Sequence, residues 1–163
     1  IAKIILYVTS PIAAVMFPMI SERATKGDKH YTIFFFSLIF VIVGSLVILG
    51  VYVIAPAKVI SLLYGNQYIG DYYLLPEIGL AFVLYSLINL MANYYMVVKN
   101  FAFVWFFALV LLLEIVAISL FHSSIIMVVR IIVLSLSLLF ALFFGYYLVN
   151  KKEQIKLFFQ GKY

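Results

Sequence analysis

Residues 31–55 read YTIFFFSLIFVIVGSLVILGVYVIA, a run that contains no charged side chain. At about 1.5 Å per residue, a helix of this length measures about 37 Å, which exceeds the roughly 30 Å hydrocarbon core of a bilayer. The run also lacks the alternation of apolar and polar residues that marks a barrel strand. It therefore predicts a transmembrane helix that is tilted or enters the headgroups.

The whole chain shares this character. Of its 163 residues, 67% are hydrophobic and 10% are charged, with a mean hydropathy of +1.22. Soluble domains are closer to half apolar and a quarter charged, so a soluble globule and a disordered chain are both excluded. The sequence predicts an all-α integral membrane protein with five transmembrane helices, at about 1–20, 31–55, 74–98, 101–121 and 125–149.

Two further segments complete the expected organisation. A short amphipathic helix at about 57–64 is predicted to lie at the membrane interface, either as a plain turn or as part of a binding loop. Residues 150–163 form a basic tail. The transmembrane region is thus expected to cover residues 1–149.

The distribution of positive charge predicts the orientation. Lys and Arg in short loops favour the cytoplasmic side, and alternate connections here differ sharply in their content. The C-terminus is therefore expected in the cytoplasm, and the net charge of +5 reads as an orientation signal rather than a nucleic-acid footprint. The cytoplasmic set is Arg23, Lys26, Lys29, Lys99, Lys151, Lys152, Lys156 and Lys162, against Lys58 outside.

The first span carries a polar stripe. Lys3, Tyr7 and Ser10 recur at steps of three or four and share one helical face. Pro11 and Pro18 each remove a backbone hydrogen bond and permit a kink. The whole face is typical of an aqueous cavity wall and a substrate contact, although Lys3 taken by itself is better explained by snorkelling to the headgroups.

The third span repeats this pattern with Asn89 and Asn93. Amide side chains in hydrocarbon need partners, so this face is expected to point at protein or water rather than at lipid. Substrate contact and helix packing remain open as alternatives.

Three charged residues lie inside or beside the third, fourth and fifth predicted spans. A charge deep in a span costs roughly 2.5–3.5 kcal/mol on insertion scales. Glu114 and Arg130 fall at similar depth on adjacent helices and are predicted to form an intramembrane charge pair, with a titrating Glu114 as the alternative. Glu77 follows Pro76 near the expected outer surface and is predicted to be solvated.

The sequence offers little for catalysis. It contains no cysteine and two histidines in separate loops, so no zinc site, other metal site or cofactor is predicted. There is no glycine-rich phosphate loop and no nucleophile with its base. An enzyme is not expected.

Two segments carry a family resemblance. Phe17-Pro18-Met19-Ile20-Ser21, followed by Gly27-Asp28, resembles the FP-x-(I/L)-S … G-D segment of bacterial and archaeal polysaccharide flippases. The segment 56–68, PAKVISLLYGNQY, is similar to the P-x-x-x-I-x-x-L-(F/Y)-G-x-x-Y outer loop of the same proteins. They belong to the multidrug/oligosaccharidyl-lipid/polysaccharide exporter superfamily. The resemblance covers roughly residues 10–70.

The resemblance implies a twelve-helix transporter of two six-helix halves, of which this chain would supply the last five spans; the missing N-terminal half and one further span would supply the other seven. It implies flipping of a lipid-linked oligosaccharide across a bacterial or archaeal cytoplasmic membrane by alternating access, with polysaccharide assembly enzymes as partners. Lys3 would hold the pyrophosphate, flanked by Tyr7 and Ser10. Arg130 would serve instead if Glu114 does not neutralise it.

Three alternatives stay open. A multidrug or toxin exporter shares the same fold. A non-transporting membrane scaffold needs only five packed helices. A glycosyltransferase or polymerase would require catalytic carboxylates or an arginine-rich outer loop, and residues 56–73 contain a single acidic residue, Asp71, and no arginine.

Overall fold

The computed structural model describes residues 1–25 and 31–159. Over these residues the chain forms six α-helices and one 3-10 helix, so the predicted all-α fold is confirmed. The Gly27-Asp28 segment and the last four residues of the predicted tail lie outside the described residues. The helices are α1 (Ile4–Thr25), α2 (Tyr31–Ile54), α3 (Pro56–Tyr64), α4 (Leu74–Val97), α5 (Phe103–Leu120) and α6 (Ile125–Phe159), with the 3-10 helix at Asn66–Asp71.

Five of the described helices are long and apolar enough to cross a membrane, namely α1, α2, α4, α5 and the part of α6 up to Val149. The chain is a multi-pass membrane protein. The helix α6 does not stop at Val149 but continues to Phe159, for 35 residues and about 52 Å. The extension is rich in Lys, Glu and Gln and contains neither Gly nor Pro, so nothing in it ends the helix.

The helix α4 lies at the centre of the bundle. It packs against α1, α2 and α6, while α5 packs on α6 at the periphery. Much of α4 is buried, including Leu90 and Met91, whereas α5 buries only Phe103 and Val110. The large apolar side chains left exposed on the outer helices face the region that lipid would occupy.

The short helix α3 marks one end of the bundle, which we call the α3 end. Pro56 occupies its first turn, where a missing N–H carries no penalty. Gly65 ends it with a φ of 90°, a backbone conformation that suits glycine. Ser61 then donates a hydrogen bond to the side-chain oxygen of Asn66, which closes the turn into the 3-10 helix.

The opposite end of the bundle is tied by tyrosine and asparagine. The Tyr95 hydroxyl donates to the Phe143 carbonyl at 2.6 Å, which joins α4 to α6. Asn100, in the turn between α4 and α5, donates to the Tyr146 hydroxyl at 3.0 Å, and Tyr146 donates back to Asn100 Oδ1 at 3.1 Å. These bonds fix the turn against α6.

A close approach between α2 and α4 depends on a missing side chain. Gly79 lies against Tyr52, whose buried hydroxyl donates to the Ile1 carbonyl at 3.0 Å. A Cβ atom built on Gly79 would come within 2.9 Å of Tyr52 Cδ2 and 3.1 Å of Leu49 Cδ1. The ring of Tyr52 therefore occupies the space that the side chain of any residue larger than glycine would need at position 79.

We expect Gly79→Ala to lower the free energy of unfolding by about 1–3 kcal/mol, because the buried ring must move to admit the methyl group. Gly50→Ala on α2 is the matched control, since its Cβ meets nothing within 4 Å and alanine favours helix. Thermal unfolding in detergent, followed by circular dichroism, measures both. Equal melting temperatures would contradict the packing described.

Candidate functional site

A cleft of about 390 Å³ opens between α1 and α4. It brings together three of the five residues predicted to contact a substrate, Ser10, Asn89 and Asn93. Phe17 adds an aromatic wall that was not among the residues predicted to contact a substrate. The lining side chains carry no charge. They are Ser10, Ala13, Ala14, Phe17, Asn89 and Asn93.

The sequence of α1 explains its contribution to the cleft. Ser10, Ala14 and Phe17 are separated by four and three residues, so they project from one helical face. Pro18 lies inside α1 and cannot donate a hydrogen bond to the carbonyl four residues before it. The carbonyl of Ala14, a residue that lines the cleft, therefore lacks its helical N–H donor. Pro11 has the same effect on the carbonyl of Tyr7.

The two asparagines of α4 form a pair. Asn93 Nδ2 donates to the backbone carbonyl of Asn89 at 2.8 Å and approaches Asn89 Oδ1 at 3.4 Å. Among the described residues, neither Asn93 Oδ1 nor Asn89 Nδ2 has a hydrogen-bond partner. Both side chains are half-buried and face the cleft. Unused amide groups at this depth require water or a ligand, because lipid cannot satisfy them.

A buried hydrogen bond joins α1 and α4 on the side of the cleft that faces the α3 end. The Thr9 hydroxyl donates to Ser86 Oγ at 2.9 Å, and Ser86 donates in turn to the Phe82 carbonyl at 2.8 Å. Thr9 was not among the predicted contacts. Its hydroxyl also lies 2.9 Å from the Ile5 carbonyl, which is the alternative acceptor within its own helix. Gly79 and Ser86 thus face protein, whereas Asn89 and Asn93 face the cleft.

Lys3 and Tyr7, the other two predicted contacts, do not line the cleft. They continue the same stripe of α1 toward the α3 end, where both are exposed, Tyr7 by 69%. Seven residues separate Lys3 from Ser10, which is about 10 Å along the helix. The structure therefore separates a cationic end of the stripe from a neutral, hydrogen-bonding part.

The predicted pair between Arg130 and Glu114 is wrong. Arg130 instead forms a salt bridge with Glu77, through Nη2 at 3.0 Å and Nε at 3.3 Å to the same oxygen, Oε1. The helices α4 and α6 both begin at the α3 end, so these two residues lie at similar depth, and α6 packs on α4 as well as on α5. Glu77 is also not freely solvated, because its Oε2 is buried.

Glu114 is left half-buried on α5 without a hydrogen bond or salt bridge to any described residue. Nor does it join a metal site, since no group of three or more His, Asp or Glu suited to a metal ion occurs in the part of the chain that the structure describes.

Charge reversal tests the corrected pairing. Glu77→Arg places two cations side by side and should lower the melting temperature, and adding Arg130→Glu should recover most of the loss. Because the Arg130 side chain is 66% exposed, the native pair contributes only up to about 1 kcal/mol. Glu114→Arg is the control, since Arg130→Glu should not rescue it. Rescue of Glu114→Arg instead would contradict the salt bridge described.

Comparison with known proteins adds no relative. No family model, no curated protein and no solved structure matches this chain.

Proposed function

We propose that this chain is part of a transporter that flips a lipid-linked oligosaccharide across the cytoplasmic membrane of a bacterium or archaeon. The observation that carries the proposal is the cleft between α1 and α4. At the depth of the bilayer it presents amide and hydroxyl groups with unused hydrogen-bonding capacity, on helices that are otherwise apolar. The sequence resemblance of residues 10–70 to polysaccharide flippases supports the same assignment.

The unused hydrogen-bonding capacity of these polar groups favours transport over a purely structural role. A scaffold gains from polar side chains only where they bond across a helix interface, as Thr9 and Ser86 do. Asn89 and Asn93 lie beside that interface but turn their free groups into the cleft. Their placement suits a solute that arrives and leaves.

Alternating access needs a path that is closed on one side at a time. The Thr9–Ser86 contact joins α1 and α4 between the cleft and the α3 end, so it is the contact that would close the path on that side. With the α3 end outside, as the loop charges predict, the state closed at this contact is the one that loads from the cytoplasmic leaflet. Lys3, exposed beyond the barrier, receives the pyrophosphate as the substrate moves outward. A second helical half would close the cleft from the opposite side.

Cysteine labelling tests whether the cleft is wet. The 163 residues contain no cysteine, so a single Cys can be introduced without background from this chain. We expect Ala14→Cys, which lines the cleft, to react with a membrane-impermeant maleimide in intact membranes. Val43→Cys is the matched control, because Val43 is exposed near the middle of α2 on the lipid-facing side and should stay unlabelled. If neither variant were labelled, this result would contradict an aqueous cleft.

Transport itself is measured with the complete protein in proteoliposomes that contain a fluorescent polyprenyl diphosphate sugar. Flipping exposes the inner-leaflet label to an external quencher and gives a faster second phase of fluorescence loss than protein-free vesicles show. We expect Asn93→Leu to slow this phase at least several-fold, and Val43→Leu to leave it unchanged. A rate equal to that of empty vesicles would reject the proposal and favour a scaffold.

A further inference from the structure

The cleft between α1 and α4 carries hydrogen-bonding groups in a particular arrangement. Asn93 Nδ2 donates one hydrogen to the Asn89 carbonyl at 2.8 Å and approaches Asn89 Oδ1 with the other at 3.4 Å, so Oδ1 is the group of Asn93 that is left free for a ligand. Asn89 offers the two hydrogens of its Nδ2, and Ser10 offers a hydroxyl that bonds to no described residue. A ligand that fits must therefore supply both donors and acceptors at close spacing.

The rest of the lining is apolar. Phe17 is 42% exposed and presents its ring to the cleft, and Ala13 and Ala14 add small surfaces beside it. A pyranose ring matches this combination, because its axial C–H groups form apolar faces and its hydroxyls project around the rim. Aromatic contact on a face and carboxamide hydrogen bonds on the rim use both parts of such a ring.

The cleft is poorly suited to the charged part of a lipid-linked substrate. None of its lining residues is Lys, Arg or His. A diphosphate held there would lose its hydration without gaining a cation, which is strongly unfavourable. Lys3 lies six residues from Thr9 on α1, toward the α3 end, and Asn93 lies seven residues beyond Ser86 on α4, away from that end. Because Thr9 contacts Ser86, Lys3 and Asn93 are separated by about 20 Å along the bundle. Lys3 cannot contact a group bound beside Asn93.

We propose that this cleft is a sugar subsite that holds one uncharged ring of the transported glycan, with Asn89 and Asn93 on its hydroxyls and Phe17 on its face. The inference rests on the proposed function, and it adds that the protein recognises the glycan separately from the diphosphate. The volume of about 390 Å³ lies at the small end of ligand sites, which suits one or two rings rather than a long oligosaccharide.

Two soluble probes that differ only in the sugar test the subsite. They are farnesyl diphosphate and farnesyl diphosphate linked to one N-acetylglucosamine, titrated into the complete purified protein in lipid nanodiscs. We expect the sugar-bearing probe to bind more tightly. Asn89→Leu or Asn93→Leu should weaken its binding about three- to tenfold, the loss of one or two neutral hydrogen bonds, and leave the Kd of the sugar-free probe unchanged.

Phe17→Ala should likewise reduce the difference in Kd between the sugar-bearing and the sugar-free probe. Phe36→Ala is its matched control, because Phe36 is exposed on α2, away from the cleft, and should alter neither Kd. A glucuronic acid in place of N-acetylglucosamine should bind more weakly than the neutral sugar, since the cleft offers its carboxylate no cation.

Three results would overturn the subsite. They are equal affinity for both probes, an equal loss for both in Asn89→Leu and Asn93→Leu, and failure of the protein to bind either probe at millimolar concentration. The proposed function fails separately, by the absence of flipping in proteoliposomes. A protein that discriminates the sugar in the titration but does not flip the lipid would retain the subsite and lose the transport assignment.

Discussion

In the hydrocarbon core of a bilayer, no water is present to hydrogen-bond a peptide or hydroxyl group that lacks a partner in the protein. This constraint shapes the whole chain. It makes every described span helical, and it leads Ser45, Ser119 and Ser137 to donate to the carbonyl four residues earlier in their own helices. Several exceptions border the cleft between α1 and α4. Pro18 strips a donor from Ala14, and the asparagine pair keeps free groups, all of them bordering the same cleft.

The position of α4 links this cleft to the rest of the bundle. One side of α4 is closed by Gly79 against Tyr52 of α2, and another meets α6 through Tyr95 and the Phe143 carbonyl. On the face toward α1, Ser86 bonds to Thr9 while Asn89 lines the cleft. The helix α4 thus provides one wall of the cleft, and α1, which contains Pro11 and Pro18, provides the other.

Much of the fold follows from the sequence because the long apolar runs allow no other structure in lipid. The polar face of the cleft was also predictable, since the spacings of Ser10, Asn89 and Asn93 place them on defined helical faces. The spacing of residues along the sequence does not determine which neighbouring helix a side chain contacts. The depths of Glu114 and Arg130 match, but depth alone cannot tell that α6 turns Arg130 toward Glu77 on α4. The roles of Thr9 and Phe17 have the same origin, because they depend on how α1 is rotated against α4.

The hydrogen bond between Thr9 and Ser86 has a consequence for reversibility. Each hydroxyl already has an acceptor in its own helix, Ile5 for Thr9 and Phe82 for Ser86. If α1 and α4 separate at this level, Thr9 can turn its proton to the Ile5 carbonyl while Ser86 keeps its bond, so no donor is stranded in the membrane. The hydrogen bond can therefore break and reform in either direction without leaving an unsatisfied donor, which is the behaviour that the proposed transport cycle would require of a reversible contact between α1 and α4.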